Sequence, residues 1–74
     1  MDFYTLLGVS KDASVESIHI AWKILVKKNH PDKFLSKGID DFTKAEIRVS
    51  ELNQAWSTLR DPVKRREYDS TLES

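Results

Sequence analysis

The sequence predicts an all-α domain: an antiparallel hairpin of two long helices, about 15–29 and 41–60, with a short helix before it and another after it. Three observations predict this. Apolar residues recur at helical spacing in two stretches, first Ile18, Ala21, Trp22 and Leu25, then Val49, Leu52, Trp56 and Leu59. Between them stands His30-Pro31-Asp32, followed by Lys33 and Phe34, with a proline that cannot continue a helix and an aspartate that favours turns. Nowhere do apolar and polar residues alternate as in a strand.

The first helix is short. Phe3, Tyr4, Leu6 and Leu7 fit one or two turns, and Gly8 is available as a left-handed stop. Ser10 to Ala13 reads as a polar connection. Ser14 then makes a good N-cap, with Glu16 in the first turn where the helix dipole favours an acid. On a helical wheel Ile18, Ala21, Trp22, Leu25 and Asn29 share one side of the second helix. Lys23, Lys27, Ile20 and Ile24 point away from it. Pro31 disfavours helical geometry at His30, so the helix should stop near Asn29.

Lys33 to Ile39 reads as a loop that opens with a short helical continuation through Phe34 and Leu35 and ends at Ser36-Lys37-Gly38. Asp40 or Asp41 is expected to cap the third helix. Its seam is Phe42, Ala45, Val49, Leu52, Trp56 and Leu59, with Ala55 beside it permitting close approach. Asp61-Pro62 signals the last helix, an N-cap followed by proline at the first helical position. That helix is expected to run to about Ser70 with Tyr68 inward. Residues 1–70 thus hold one domain, and 71–74 read as a frayed tail or the start of a linker.

Composition narrows the function. The chain has 74 residues, 12 basic and 12 acidic, and no cysteine. A domain this small buries only about 60% of its unfolded surface. With no disulfide or cysteine-based metal site, its stability must come from helix packing by a few large side chains. Apolar runs of about three residues fall far short of a membrane span of about 20. No secretory leader is visible, which points to a cytoplasmic setting. Charge is unevenly spread. From Trp22 to Lys37 the chain carries Lys23, Lys27, Lys28, Lys33 and Lys37 against the single acid Asp32. Such a basic face suits an acidic partner, or is simply a solvated helix surface.

Taken alone, Asp32 reads as hydrogen-bonded to the backbone of its own turn, and His30 as closing the second helix. Trp22 and Trp56 read as core aromatics, Trp22 with an edge expected beside the lysines. An enzyme is disfavoured, since no nucleophile–base pair and little room for a pocket are visible. His19 and His30 lack further ligands at metal-site spacing, and no cofactor is expected. A small nucleic-acid-binding helical domain is the weaker alternative: net charge is zero, and the basic residues flank a helix end and a loop.

The order of parts resembles the J domain, the module shared by DnaJ-type co-chaperones. The matching stretches are Asp2 to Val9, Ile18 to Asn29, His30-Pro31-Asp32-Lys33, Leu52 to Trp56 and Leu59 to Asp69. The tripeptide alone would arise by chance in roughly one chain of this length in a few hundred. Between two such helices, with both flanking signatures in order, it is specific. The resemblance implies binding to a DnaK-type chaperone of the heat-shock class in its ATP-bound form, and stimulation of that chaperone's ATP hydrolysis. Asp32 would pair with a cation on the chaperone, Pro31 would fix the bend, and His30 would orient the loop. Trp22, Lys23, Lys27, Lys28 and Lys33 complete the expected chaperone-binding set. The domain is expected to be a monomer, with no nucleic-acid or membrane contact and with further domains in the same chain. Lys64-Arg65-Arg66 would tether the last helix to acids of the hairpin.

Two features depart from the usual pattern. His19, Ile20 and Ile24 occupy positions where Lys or Arg is typical, so Ile20 and Ile24 are read as a small exposed apolar patch for another domain or the chaperone. The segment from Asp32 to Ala55 is also a few residues longer than usual. Lys33-Phe34 and Asn53 to Arg60 look similar to the J domain of the iron–sulfur-cluster co-chaperone. A degenerate J domain kept only for protein binding is the alternative within this reading.

Overall fold

The computed structural model describes residues 2–73, and all statements below concern these. Helix α1 is Phe3–Leu7, α2 is Val15–Lys28, α3 is Ile39–Leu59 and α4 is Pro62–Glu73, with a 3-10 segment at Pro31–Lys37. No strand is present among the described residues. The fold is all-α, and the hairpin predicted from sequence is formed by α2 and α3.

Local chemistry sets the helix ends. The Asp2 carboxylate accepts from the Thr5 amide at 2.7 Å and caps α1. That bond is the chief reason the Asp2 carboxyl sits below its ordinary value of 3.8. Gly8 stops the helix at φ 70°, with its own amide bonded to Thr5 O and the Val9 amide to Tyr4 O. Ser14 Oγ accepts from the Ser17 amide at 3.1 Å and starts α2. At the other end the Asn29 amide and its side-chain Nδ2 both donate to Leu25 O, at 3.0 and 2.8 Å. Asp61 caps α4 as expected, accepting from the Val63 and Lys64 amides.

Three boundaries differ from the sequence reading. The expected loop after Asp32 is a continuous 3-10 segment through Lys37. Helix α3 starts at Ile39 without a side-chain cap; Asp40 and Asp41 lie inside its first turn, where they favour the dipole instead. Gly38, at φ 103° and ψ 163°, turns the chain sharply enough to join the two segments directly, in a region essentially open only to glycine. Helix α4 continues to Glu73, past the expected end near Ser70, with Leu72 packed against the core. Ser74 lies outside the described residues.

The core is small. Tyr4, Leu7, Ile18, Leu52, Ala55 and Leu59 form its buried cluster, with Trp22, Leu25, Trp56 and Tyr68 packed around it. The expected seam of α3 holds: Ala45, Leu52, Ala55 and Leu59 are buried, while Phe42, Val49 and Trp56 are half-buried. Register is fixed on the hairpin's edge. Trp22 Nε1 donates to Asn53 Oδ1 at 3.0 Å, and His19 stacks on Trp56 at 4.8 Å between ring centres. Trp22 and Trp56 stack at 5.5 Å, and Arg60 lies over the Trp56 ring.

Helix α4 is tied to α1. Phe3 stacks on Tyr68 at 4.5 Å, and its amide donates to the Tyr68 hydroxyl at 2.8 Å. The Tyr4 hydroxyl donates to Asp69 at 2.6 Å and accepts from Arg65 Nε at 3.0 Å. Arg65 also donates to the carbonyls of Lys11 and Ala13, at 3.1 and 2.7 Å. The expected tether therefore exists, but Arg65 reaches α1 and the α1–α2 connection rather than acids of the hairpin. Carbonyls left free where the chain leaves regular structure are ready acceptors for a guanidinium. Burial pushes the Tyr4 hydroxyl above its ordinary value of 10.0, with the Asp69 bond adding to the effect and Arg65 opposing it.

Candidate functional site

The core sits at one end of the hairpin, and the tripeptide at the other. Asn29 lies 11 residues beyond Ile18 on α2, about 16 Å along the helix axis. The molecule measures 41 Å along its longest axis and 16 Å along its shortest. The turn that carries Asp32 thus packs on α3 well beyond the buried cluster.

Local structure aims the turn. Pro31 occupies the first position of the 3-10 segment, where its missing amide costs nothing. His30 caps the segment, and its Nδ1 accepts from the Asp32 amide at 3.3 Å. The same Nδ1 lies 3.7 Å from Asp32 Oδ2. These two contacts exclude one another. As an acceptor Nδ1 carries no hydrogen; with a proton there it would donate to the carboxylate and release the amide. The hydrogen bond has the shorter distance and completes the cap, so it defines the loop as it stands. The Asp32 side chain is 77% exposed, and His30's is 53% exposed.

Neither side chain makes the local contact expected of it when taken alone. The Asp32 carboxylate accepts no backbone amide among the described residues; its backbone is what bonds to His30. His30 caps the segment after α2, whereas Asn29 closes α2. Pro31 is half-buried and fixes the bend between them.

The other expected residues flank this loop. Lys23, Lys27, Lys28 and Lys33 are all exposed, and none has an ion-pair partner among the described residues. Lys37 instead lies 5.7 Å from the Phe34 ring centre. Trp22 is half-buried in the stack with His19 and Trp56, so it braces α2 from its flank. His19 is exposed, and its stacking role escaped the sequence reading. The signal was its i, i+3 spacing to Trp22, combined with an antiparallel register that only the folded hairpin reveals.

A shallow cleft of about 270 Å³ beside the loop is lined by Asn29, Phe34, Asp41, Lys44, Ala45 and Arg48. No group of three or more His, Cys, Asp or Glu among the described residues could hold a metal ion. No described helix is long and apolar enough to cross a membrane.

These parts define a class: a small helical domain that presents an exposed carboxylate on a capped turn beside exposed lysines without ion-pair partners among the described residues. The chain belongs to the DnaJ domain family, whose model matches residues 2–69. It is 41% identical over 68 residues to a chaperone protein DnaJ of Mesomycoplasma hyopneumoniae, covering 92% of this chain and 18% of that protein. Over 68 residues it is 46% identical to chaperone protein DnaJ 1 of Streptomyces coelicolor, covering 92% of this chain and 16% of that protein. Chaperone protein DnaJ 2 of Thermus thermophilus is 39% identical over 69 residues, which is 93% of this chain and 22% of that protein. The chain thus spans about a fifth of the length of the curated relatives it matches.

Proposed function

We propose that this J domain docks on a DnaK-type chaperone in its ATP-bound form and stimulates ATP hydrolysis by that chaperone, contributing no catalytic group of its own. The observation that carries this reading is the Asp32 carboxylate, 77% exposed on an ordered turn. An exposed acid held by a capped 3-10 segment can meet a cation on the partner with little further ordering cost. Pro31 sets the bend, and His30 positions the Asp32 amide. Lys23, Lys27, Lys28 and Lys33 steer encounter with an acidic surface, raising the on-rate more than the affinity. Contacts of this exposed kind are screened within about 10 Å at 0.1 M salt, so binding is transient.

The test is binding of a labelled domain to the ATP-loaded chaperone of the source cell, at low and moderate salt, for the natural chain and Asp32→Asn. The natural chain should bind more weakly as salt rises. The variant should lose about tenfold or more in affinity at either salt, the scale of one charge-assisted contact. Equal binding by both chains would overturn the role given to Asp32.

A further inference from the structure

Helix α2 turns Ile18 and Leu25 toward the core, and Ile20 and Ile24 away from it. The outward pair is 59% and 50% exposed. They stand one turn apart on the helix and form a single apolar strip. On the helix surface Lys23 stands one turn from Ile20, and Lys27 and Lys28 stand one turn from Ile24. Those three lysines have no ion-pair partner among the described residues. The lysines that border the strip run on toward the loop, since Lys28 is two residues from His30. A complementary surface must therefore offer acids around an apolar depression.

We infer that Ile20 and Ile24 form an apolar anchor within the docking face, one that selects among DnaK-type chaperones for an apolar depression bordered by acids opposite α2. This inference rests on the proposed function and assigns that site a pair of specificity-determining residues. Lysines on long flexible stems accept almost any acidic surface, and exposed pairs of this kind contribute little. Isoleucines discriminate. A partner that meets them with an apolar surface gains the burial, while one that meets them with charge must desolvate that charge unpaired. Specificity then lies in what the strip rejects as much as in what it accepts.

The test is single-turnover ATP hydrolysis titrated with the natural chain, Ile20→Lys/Ile24→Lys and Ile20→Gln/Ile24→Gln. It uses the chaperone of the source cell and a distant bacterial DnaK, with Asp32→Asn as a reference. Lys and Gln are good helix formers at exposed positions, so circular dichroism should show unchanged helicity. Both double variants should raise the half-saturating concentration for the source-cell chaperone by about tenfold or more, the scale of partial burial of two isoleucines. The maximal rate should persist, and the preference over the distant chaperone should shrink. If the natural chain stimulates, Asp32→Asn does not, and both double variants match the natural chain, the anchor is refuted while the proposed function stands. If the natural chain stimulates neither chaperone, both fall together. A natural chain that sediments as a dimer, made monomeric by either double variant, would give the strip to a second copy and refute the anchor.

Discussion

Asp32 owes its position to its two neighbours. Pro31 stops α2 and starts the 3-10 segment, and His30 lends Nδ1 to the Asp32 amide. The carboxylate itself is left to solvent. This arrangement makes His30 a positioning residue, and its substitutions should separate that role from direct contact. Asparagine places an acceptor oxygen near the site of Nδ1 and is a favoured capping residue. His30→Asn should therefore recover much of the stimulation that His30→Ala loses, measured as half-saturating concentration in the ATPase assay. Equal loss in both variants would mean that the imidazole touches the partner. The residue types of this loop were legible in the sequence because Pro31 forces a helix end. The division of labour within it was not, since one imidazole nitrogen can cap a segment, bond a carboxylate or face a partner.

Elements were legible to the extent that they announce themselves by apolar period or cap. The hairpin does both: Ser14 caps α2, and the seam of α3 runs through Ala45, Leu52 and Leu59. The 3-10 segment does neither. Its seven residues have no buried side chain and no long period, so they read as loop. The start of α3 rests on Gly38 backbone geometry, which leaves no cap signature. The last helix shows a different limit. Arg65 looks like one member of a basic run, yet the fold commits it to Tyr4 and to the Lys11 and Ala13 carbonyls. That junction carries a pH signature. The Tyr4 hydroxyl is held above its ordinary value, so its proton-linked stability is fully present below about pH 10 and is lost as pH rises through the folded value. Tyr4→Phe also removes the bonds to Asp69 and Arg65, and should cost about 1–2 kcal/mol at neutral pH. Urea melts of both chains across the alkaline range should show the gap between them narrowing as pH rises. A gap that stays constant as pH rises past the ordinary tyrosine range until both chains unfold would contradict the linkage.

At the scale of the molecule, the two ends of the hairpin differ in burial. One end holds the core, braced by α1 and α4. The other carries a 3-10 turn with no buried residue. A radius of gyration of 13.5 Å, against about 11 Å for a compact chain of this length, reflects that separation. Under the proposed function, that separation would let the loop and the outer face of α2 meet a large partner clear of the core end. Sequence legibility follows the same division. The core pattern and the tripeptide are written in local residue types. The edge stack of His19, Trp22 and Trp56 arises only when α2 and α3 align, and only the folded chain shows Lys23, Lys27, Lys28 and Lys33 without ion pairs among the described residues. The most direct test of the central claim is single-turnover ATP hydrolysis by the DnaK-type chaperone of the source cell, with the natural chain and with Asp32→Asn. The account predicts that the natural chain accelerates hydrolysis and that the equally helical variant leaves it at the unstimulated rate. Full acceleration by Asp32→Asn would contradict it.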